Sequence, residues 1–254
     1  MNKVTKEAID FVEKLNAAWD RLRGVDVVVA PAFPLIGSVA RRLKDPFGLA
    51  AQNVHSSASG AFTGEVSAKM LVDVGCEFVL VGHSERRVAQ GTTHAYGIGE
   101  SDDEVGRKLK SAQSAGLVPI LCVGEQLVER DRGETEARLN AQLAAALDGV
   151  SIASSRELVI AYEPVWAIGT GKNATPEQAE KAHHYIRARL ADRFGAAIAA
   201  HLRILYGGSV KPDNVVEIGR CPDVNGALVG GASLDVEAFV AIGEGIARAR
   251  ERKG

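Results

Sequence analysis

The sequence predicts an α/β protein built as a single (β/α)₈ barrel over residues 1–254. Seven short runs rich in Val, Ile and Leu alternate with amphipathic segments, and no linker, repeat or low-complexity stretch interrupts them. Each run is apolar at nearly every position, as in parallel strands that are buried on both faces. Strands alternating with helices over about 250 residues fit a doubly wound sheet or an eightfold barrel. The count of eight helix-like segments favours the barrel.

The elements follow one another in a regular strand-to-helix order. We expect strands at residues 25–30, 49–54, 78–82, 117–124, 158–163, 203–207 and 226–230. We expect helices near residues 4–22, 34–43, 67–75, 101–115, 134–147, 176–193, 212–217 and 235–249. Two of the helix starts carry capping signals, namely Ser101 with Glu104, and Thr175 with Gln178 and a proline between them.

The first predicted element is a helix, although every helix of such a barrel follows a strand. Apolar residues recur at steps of three and four from Val4 to Leu22, which places them on one face of this helix. Only seven strands are predicted for eight helices. We therefore expect the first strand of the barrel to lie before Met1.

The composition is that of an ordinary water-soluble globular protein. Hydrophobic residues make up 46%, charged residues 24%, and the formal net charge is −2, so nucleic acid is not an expected partner. No apolar run approaches the roughly 18 residues of a membrane span, and no secretory signal is visible. The three cysteines, Cys76, Cys122 and Cys221, lack disulfide or metal-site spacing and are expected to be reduced, buried thiols. These features predict a cytoplasmic protein without membrane contact.

Polar residues follow several predicted strands, and strand ends meet on one rim of a barrel, where active sites lie. They are Gln52, Asn53, His83, Ser84, Glu85, Glu125 and Glu163. Glycine-containing turns at residues 207–209 and 230–231 end the last two strands. Glycines allow backbone N–H groups to approach an anion, so these turns predict a phosphate site. The long connection EPVWAIGTGKNATP after the fifth strand is a candidate lid.

Several segments together resemble the signature sequences of the triosephosphate isomerase family. They are AQNV, GAFTGE, VGHSERR, PILCVGE, AYEPVWAIGTGK, LYGGSVKPDN and GALVGGASL, in the family's order and spread over nearly the whole chain. The resemblance implies a TIM barrel that interconverts dihydroxyacetone phosphate and D-glyceraldehyde 3-phosphate in glycolysis and gluconeogenesis by enediolate proton transfer. It implies no cofactor and no metal, and a homodimer.

The resemblance also implies roles for individual residues. Glu163 would be the catalytic base and His83 a neutral imidazole that polarises the carbonyl, a division of roles known for this enzyme family. Backbone N–H groups of Gly169, Ser209, Gly230 and Gly231 would hold the phosphate, and residues 164–174 would close over it. Ser84 and Glu85 would support the site, and Thr63 would contact the neighbouring subunit. For Gln52, Asn53, Cys122 and Glu125 we expect structural roles.

Two departures from the family pattern stand out. Residues 88–98 form an insertion after HSERR, which we expect to be a flexible surface segment beside the active rim; the alternative is a contact element that uses His94 and Tyr96. The family's Asn-x-Lys segment, which supplies a catalytic lysine, falls before Met1, and Lys3 lies too far along the chain to replace it. Either the sequence starts at an internal methionine, or the protein is a phosphate-binding pseudoenzyme or scaffold without turnover. The first explanation is favoured because His83, Glu163 and the lid sequence are intact. Without the lysine, the chain as it stands is expected to turn over substrate weakly.

Overall fold

A computed structural model describes residues 1–87, 99–168 and 174–251. The strands are β1 (Val28–Val29), β2 (Gly48–Ala51), β3 (Phe78–Val81), β4 (Val118–Val123), β5 (Val159–Tyr162), β6 (Arg203–Tyr206) and β7 (Gly226–Ala227). The α-helices are α1 (Thr5–Ala17), α2 (Ile36–Ala40), α3 (Ala68–Asp73), α4 (Asp102–Ser114), α5 (Leu127–Asp131), α6 (Thr135–Leu147), α7 (Pro176–Phe194), α8 (Ala196–Ala199), α9 (Val215–Gly219) and α10 (Val236–Glu251). Each predicted strand is present, at its predicted place and shorter.

The strands form one parallel sheet in chain order from β1 to β7. Each strand is hydrogen-bonded to the next, for example with Val123 of β4 opposite Tyr162 of β5, and Tyr162 opposite Tyr206 of β6. Helices lie between successive strands, as right-handed β-α-β crossovers require. This order brings the ends of neighbouring strands side by side, so that the polar residues after them lie along one edge of the sheet.

Both faces of the sheet are buried, which explains why the strand sequences are apolar without alternation. One face packs against the helices, where Val79 and Val81 of β3 join the large core. The other face carries a separate small cluster in which Leu80 packs with Ile120, Cys122 and Val159. Successive side chains of one strand therefore enter different cores, as the two-residue period of a strand demands.

Each of the eight predicted helical segments contains an α-helix, and most start within two residues of the predicted start. The prediction was wrong in that α9 starts three residues late, and in that α1 ends at Ala17 and is followed by a 3₁₀ helix, Trp19–Leu22. The Ser101 hydroxyl accepts the Glu104 amide, and Thr175 and Gln178 form a reciprocal capping box at the start of α7. Two short helices, α5 and α8, were not predicted, because one turn of helix has no readable periodicity. No helix in the described ranges is both long enough and apolar enough to cross a membrane. Cys76, Cys122 and Cys221 are buried thiols outside any disulfide, as expected.

Candidate active site

The ends of β3, β4 and β5 bring His83, Glu125 and Glu163 to the same edge of the sheet. β3 pairs with β4 and β4 with β5, with Val81 opposite Leu121 and Val123 opposite Tyr162. The three polar residues follow within two positions of these strand ends. Parallel pairing thus assembles the centre of the site from segments that are far apart in sequence.

His83 and Glu163 are in direct contact. The His83 Nε2 atom lies 2.9 Å from a carboxylate oxygen of Glu163, whose side chain is only 3% exposed. The backbone N–H of Ser84 donates to the other carboxylate oxygen at 2.9 Å, and the Ser84 hydroxyl lies 3.3 Å from the first. The carboxylate is buried, and both of its oxygens accept hydrogen bonds, as a buried charge requires.

The second ring nitrogen of His83 shows which tautomer the geometry favours. His83 precedes a short 3₁₀ helix (Ser84–Arg86), and its Nδ1 atom accepts the Glu85 backbone N–H at 3.3 Å. An accepting Nδ1 carries no proton, so the neutral ring presents its proton at Nε2. Burial lowers the pKa of His83, but the hydrogen bond and negative charge of Glu163 outweigh burial, and the net pKa lies above the usual value.

Two glycines allow the strand ends to approach Glu163 closely. A Cβ atom on Gly124 would lie 1.7 Å from the Glu163 carbonyl oxygen, and one on Gly207 would lie 2.9 Å from its Cγ atom. Neither position has space for a side chain. Glycine is therefore required at both positions if the carboxylate is to stay where it is.

Glu125 forms a second buried carboxylate cluster beside the first. It is fully buried, and it accepts the Trp166 indole N–H at 2.7 Å and the Tyr162 hydroxyl at 3.1 Å. Burial raises the pKa of Glu125, although these hydrogen bonds and Arg130 oppose the shift. Arg130 also stacks over the Trp166 ring at 4.1 Å. The sequence placed Glu125 at a strand end but did not indicate that Tyr162, Arg130 and Trp166 converge on it.

The two glycine-containing turns lie beside each other because β6 and β7 are neighbours. Ser209 is half-buried, whereas Gly230 and Gly231 are exposed, and a Cβ atom built on either glycine meets no atom within 4 Å. The space next to Gly230 and Gly231 is therefore open. Gly169 lies outside the described residues, so of the predicted lid the structure places residues 164–168 and 174 only.

The remaining predicted residues are spread around this centre. Thr63 is exposed, and the Glu85 side chain is 81% exposed with its carboxylate 4.0 Å from His83 Nδ1. Gln52 donates to the Ala30 carbonyl at 2.8 Å, and buried Asn53 accepts from Lys108 at 2.9 Å. The insertion at residues 88–98 lies outside the described residues. In the three described ranges, no group of three or more His, Cys, Asp or Glu residues is arranged to hold a metal ion.

Comparison with known proteins assigns the chain to a family. The family model described as triosephosphate isomerase matches residues 1–246. A triosephosphate isomerase of Chloroflexus aurantiacus is 49% identical over 243 residues, covering 95% of this chain and 94% of that protein. One of Symbiobacterium thermophilum is 47% identical, covering 99% and 96%, and one of Xanthomonas campestris is 52% identical, covering 89% and 87%. With its parallel sheet and its strand-end carboxylate and imidazole, the chain belongs to the triosephosphate isomerase family.

Proposed function

We propose that this isomerase interconverts dihydroxyacetone phosphate and D-glyceraldehyde 3-phosphate at the rim formed by His83 and Glu163. The observation that carries the proposal is the 2.9 Å contact between a buried carboxylate and an imidazole that accepts a hydrogen bond at Nδ1. In this assignment Glu163 removes a proton from the carbon next to the carbonyl and returns it to the neighbouring carbon. The intermediate between the two transfers is an enediolate.

His83 acts on the two oxygen atoms of the same enediolate intermediate. Its Nε2–H points to the place where a substrate carbonyl would compete with Glu163 for the hydrogen bond. Donation to the carbonyl oxygen stabilises the charge that develops there, and the neutral ring can pass a proton between the two oxygens. When the substrate carbonyl accepts the hydrogen bond from His83 Nε2, the Glu163 carboxylate loses that donor. It can then take the proton from the carbon next to the carbonyl.

The phosphate of the substrate would be held by backbone N–H groups of Gly169, Ser209, Gly230 and Gly231. The open space beside Gly230 and Gly231 supports this assignment, as does the proximity of the two glycine turns. Binding the phosphate supplies free energy that can be used at the reacting carbons. Ser84 supports the reaction by holding Glu163, and the Glu85 backbone N–H by fixing the His83 tautomer.

A coupled assay of the purified chain with dihydroxyacetone phosphate tests the proposal, with Glu163→Gln as the variant. Glutamine keeps the shape but cannot accept the proton, so we expect kcat to fall by at least about 100-fold. Glu136→Gln, on an exposed position of α6, is the control and should match the wild type. A phosphate-binding protein without turnover would instead give the same rate for the wild type and Glu163→Gln, which refutes the proposal.

A homodimer is also proposed, with Thr63 at the subunit contact. The loop that carries Thr63 and the helix that follows it expose large apolar side chains, including Phe62 (45% exposed) and Met70 (59% exposed). A subunit contact at this loop and helix would remove these side chains from water, which supports the proposal. Analytical ultracentrifugation tests the dimer, and a chain that sediments as a monomer at micromolar concentration contradicts it.

We further propose that the enzyme works in the cytoplasm on triose phosphates of glycolysis and gluconeogenesis. Its three cysteines are buried thiols outside any disulfide, which suits a reducing compartment. Activity recovered in a membrane or secreted fraction of the producing cell would contradict this location.

A further inference from the structure

Lys3 has an unusual backbone conformation. Its φ angle is 64°, and among the described residues it is the one non-glycine residue with positive φ. An L-residue with a Cβ atom is unfavourable in this left-handed region. The next residue is already fixed, because the Val4 N–H donates to the Glu7 carboxylate at 2.8 Å at the start of α1. The left-handed turn at Lys3 therefore redirects the chain immediately before the helix, and the surrounding structure must stabilise it.

The Lys3 side chain has two specific contacts that provide this stabilisation. Its ammonium group donates to the backbone carbonyl of Leu234 at 2.7 Å. The same group lies 5.0 Å from the centre of the Phe11 ring, and Phe11 packs against Phe239 of α10 at 6.2 Å. Lys3 thus links α1, through Phe11, to the backbone between β7 and α10. The two contacts restrict a side chain that is otherwise flexible.

Leu234 is the last residue of the 3₁₀ helix Gly231–Leu234, which follows the glycine turn of the candidate phosphate site. The turn is internally bonded, since the Ser233 N–H and hydroxyl both donate to the Gly230 carbonyl, at 2.9 and 2.6 Å. Because residues 230–234 are bonded into one short unit, a displacement at Leu234 is transmitted to Gly230 and Gly231. A hydrogen bond from an ammonium group is stronger than one from a neutral donor.

We propose that Lys3 is a positioning residue for phosphate binding: by holding the Leu234 carbonyl, its ammonium group sets the orientation of the N–H groups of Gly230 and Gly231. The inference rests on the proposed function, which places the substrate phosphate at these two glycines. Lys3 itself does not touch the phosphate in this account. Loss of the ammonium group should therefore weaken binding of the phosphate group and leave proton transfer at Glu163 unchanged.

The test compares three variants of the full chain. Lys3→Met removes the donor and keeps an apolar stem, Lys3→Arg keeps a cationic donor, and Lys6→Met removes an equal charge from an exposed position of α1. Inorganic phosphate is the binding probe, measured by calorimetry, and KM and kcat are measured with dihydroxyacetone phosphate. For Lys3→Met we expect phosphate Kd and substrate KM to rise by about threefold to tenfold, the range of one ordinary hydrogen bond at an exposed position, with kcat within about twofold. Lys3→Arg and Lys6→Met should remain within about twofold of the wild type.

The outcomes separate this inference from simpler explanations and from the proposed function. A charge that merely attracts phosphate from a distance would give the same loss in Lys6→Met and would vanish at about 0.5 M salt, where screening is strong. Equal phosphate Kd for Lys3→Met and the wild type, or no rescue by Lys3→Arg, overturns the role of Lys3 and leaves the proposed function standing. A wild type that binds no phosphate overturns both. If Lys3→Met lowers the melting temperature and lowers kcat by as large a factor as it raises KM, Lys3 has a structural role only, and this result would also overturn the proposal.

Discussion

At the residue scale, two opposing influences set the charge state of His83. Burial favours the neutral ring, whereas the Glu163 hydrogen bond and charge favour the protonated ring and raise the pKa above its usual value. In Glu163→Gln the raising influence is removed while burial and the Glu85 N–H at Nδ1 remain. We expect the pKa of His83 to fall below its wild-type value, because the two largest raising causes are lost and only the smaller charge effect of the Glu85 carboxylate still raises it. NMR titration of the His83 ring measures it, and an equal or higher pKa in the variant would contradict the assignment.

The residues of the site differ in how far the sequence reveals them. The positions of His83 and Glu163 at the strand ends could be predicted because each directly follows an apolar strand, whereas their roles come from the family resemblance and stay a prediction. The partners of Glu125 could not, since Tyr162, Trp166 and Arg130 reach it through the fold and not through sequence spacing. The structural role of Glu125 stays a prediction. Its bond to Trp166 at the start of the predicted lid places it beside the site.

At the scale of elements, the ends of β5 and β6 approach so closely that only glycine fits between them. A Cβ atom at position 207 would lie 2.9 Å from Glu163 Cγ and 3.1 Å from the Tyr162 carbonyl oxygen. In Gly207→Ala we expect the carboxylate to shift and kcat to fall by about tenfold to 100-fold, because small misplacements of a reacting group have effects of this size. Steady-state kinetics measures the change. Gly37→Ala, on α2, is the control and should keep wild-type kcat, because a Cβ atom there would lie 3.7 Å from its nearest neighbour. An unchanged kcat in Gly207→Ala would show that the backbone at the end of β6 moves and the carboxylate does not.

The order of elements was predictable, whereas their exact lengths were not. Apolar strand sequences of six or so residues were readable because both sheet faces are buried, but hydrogen-bonded pairing covers only two residues in β1 and β7. Pairing length depends on the twist and tilt of neighbouring strands, which one strand's sequence does not encode. The barrel class, by contrast, was predicted from the alternation together with the count of eight helical segments, and it is confirmed by the family match.

At the scale of the whole molecule, we expect stability in acid to depend on a buried histidine outside the proposed active site. His183 of α7 is completely buried, with its ring 5.7 Å from that of Tyr162 on β5 and 6.3 Å from that of Tyr206 on β6. Its Nδ1–H donates to the Asp223 carbonyl at 3.4 Å. Burial lowers the pKa of His183 to about 3. A neutral imidazole is therefore part of the packing between the sheet and its longest helix.

The free energy of unfolding should consequently decrease as the pH falls from about 6.5 toward about 3. In this window the unfolded chain protonates His183 while the native protein does not, and stability is lost wherever the unfolded state binds more protons. Between about pH 7.5 and about pH 5 the loss from this one group is about 2 kcal/mol. In His183→Asn, urea unfolding should give a lower stability at the higher pH, because packing is lost, but a fall on acidification that is smaller by about this amount. His201→Asn, at an exposed position, should keep the wild-type pH dependence. If His183→Asn and the wild type lose the same free energy on acidification, His183 is not the group that links protonation to unfolding.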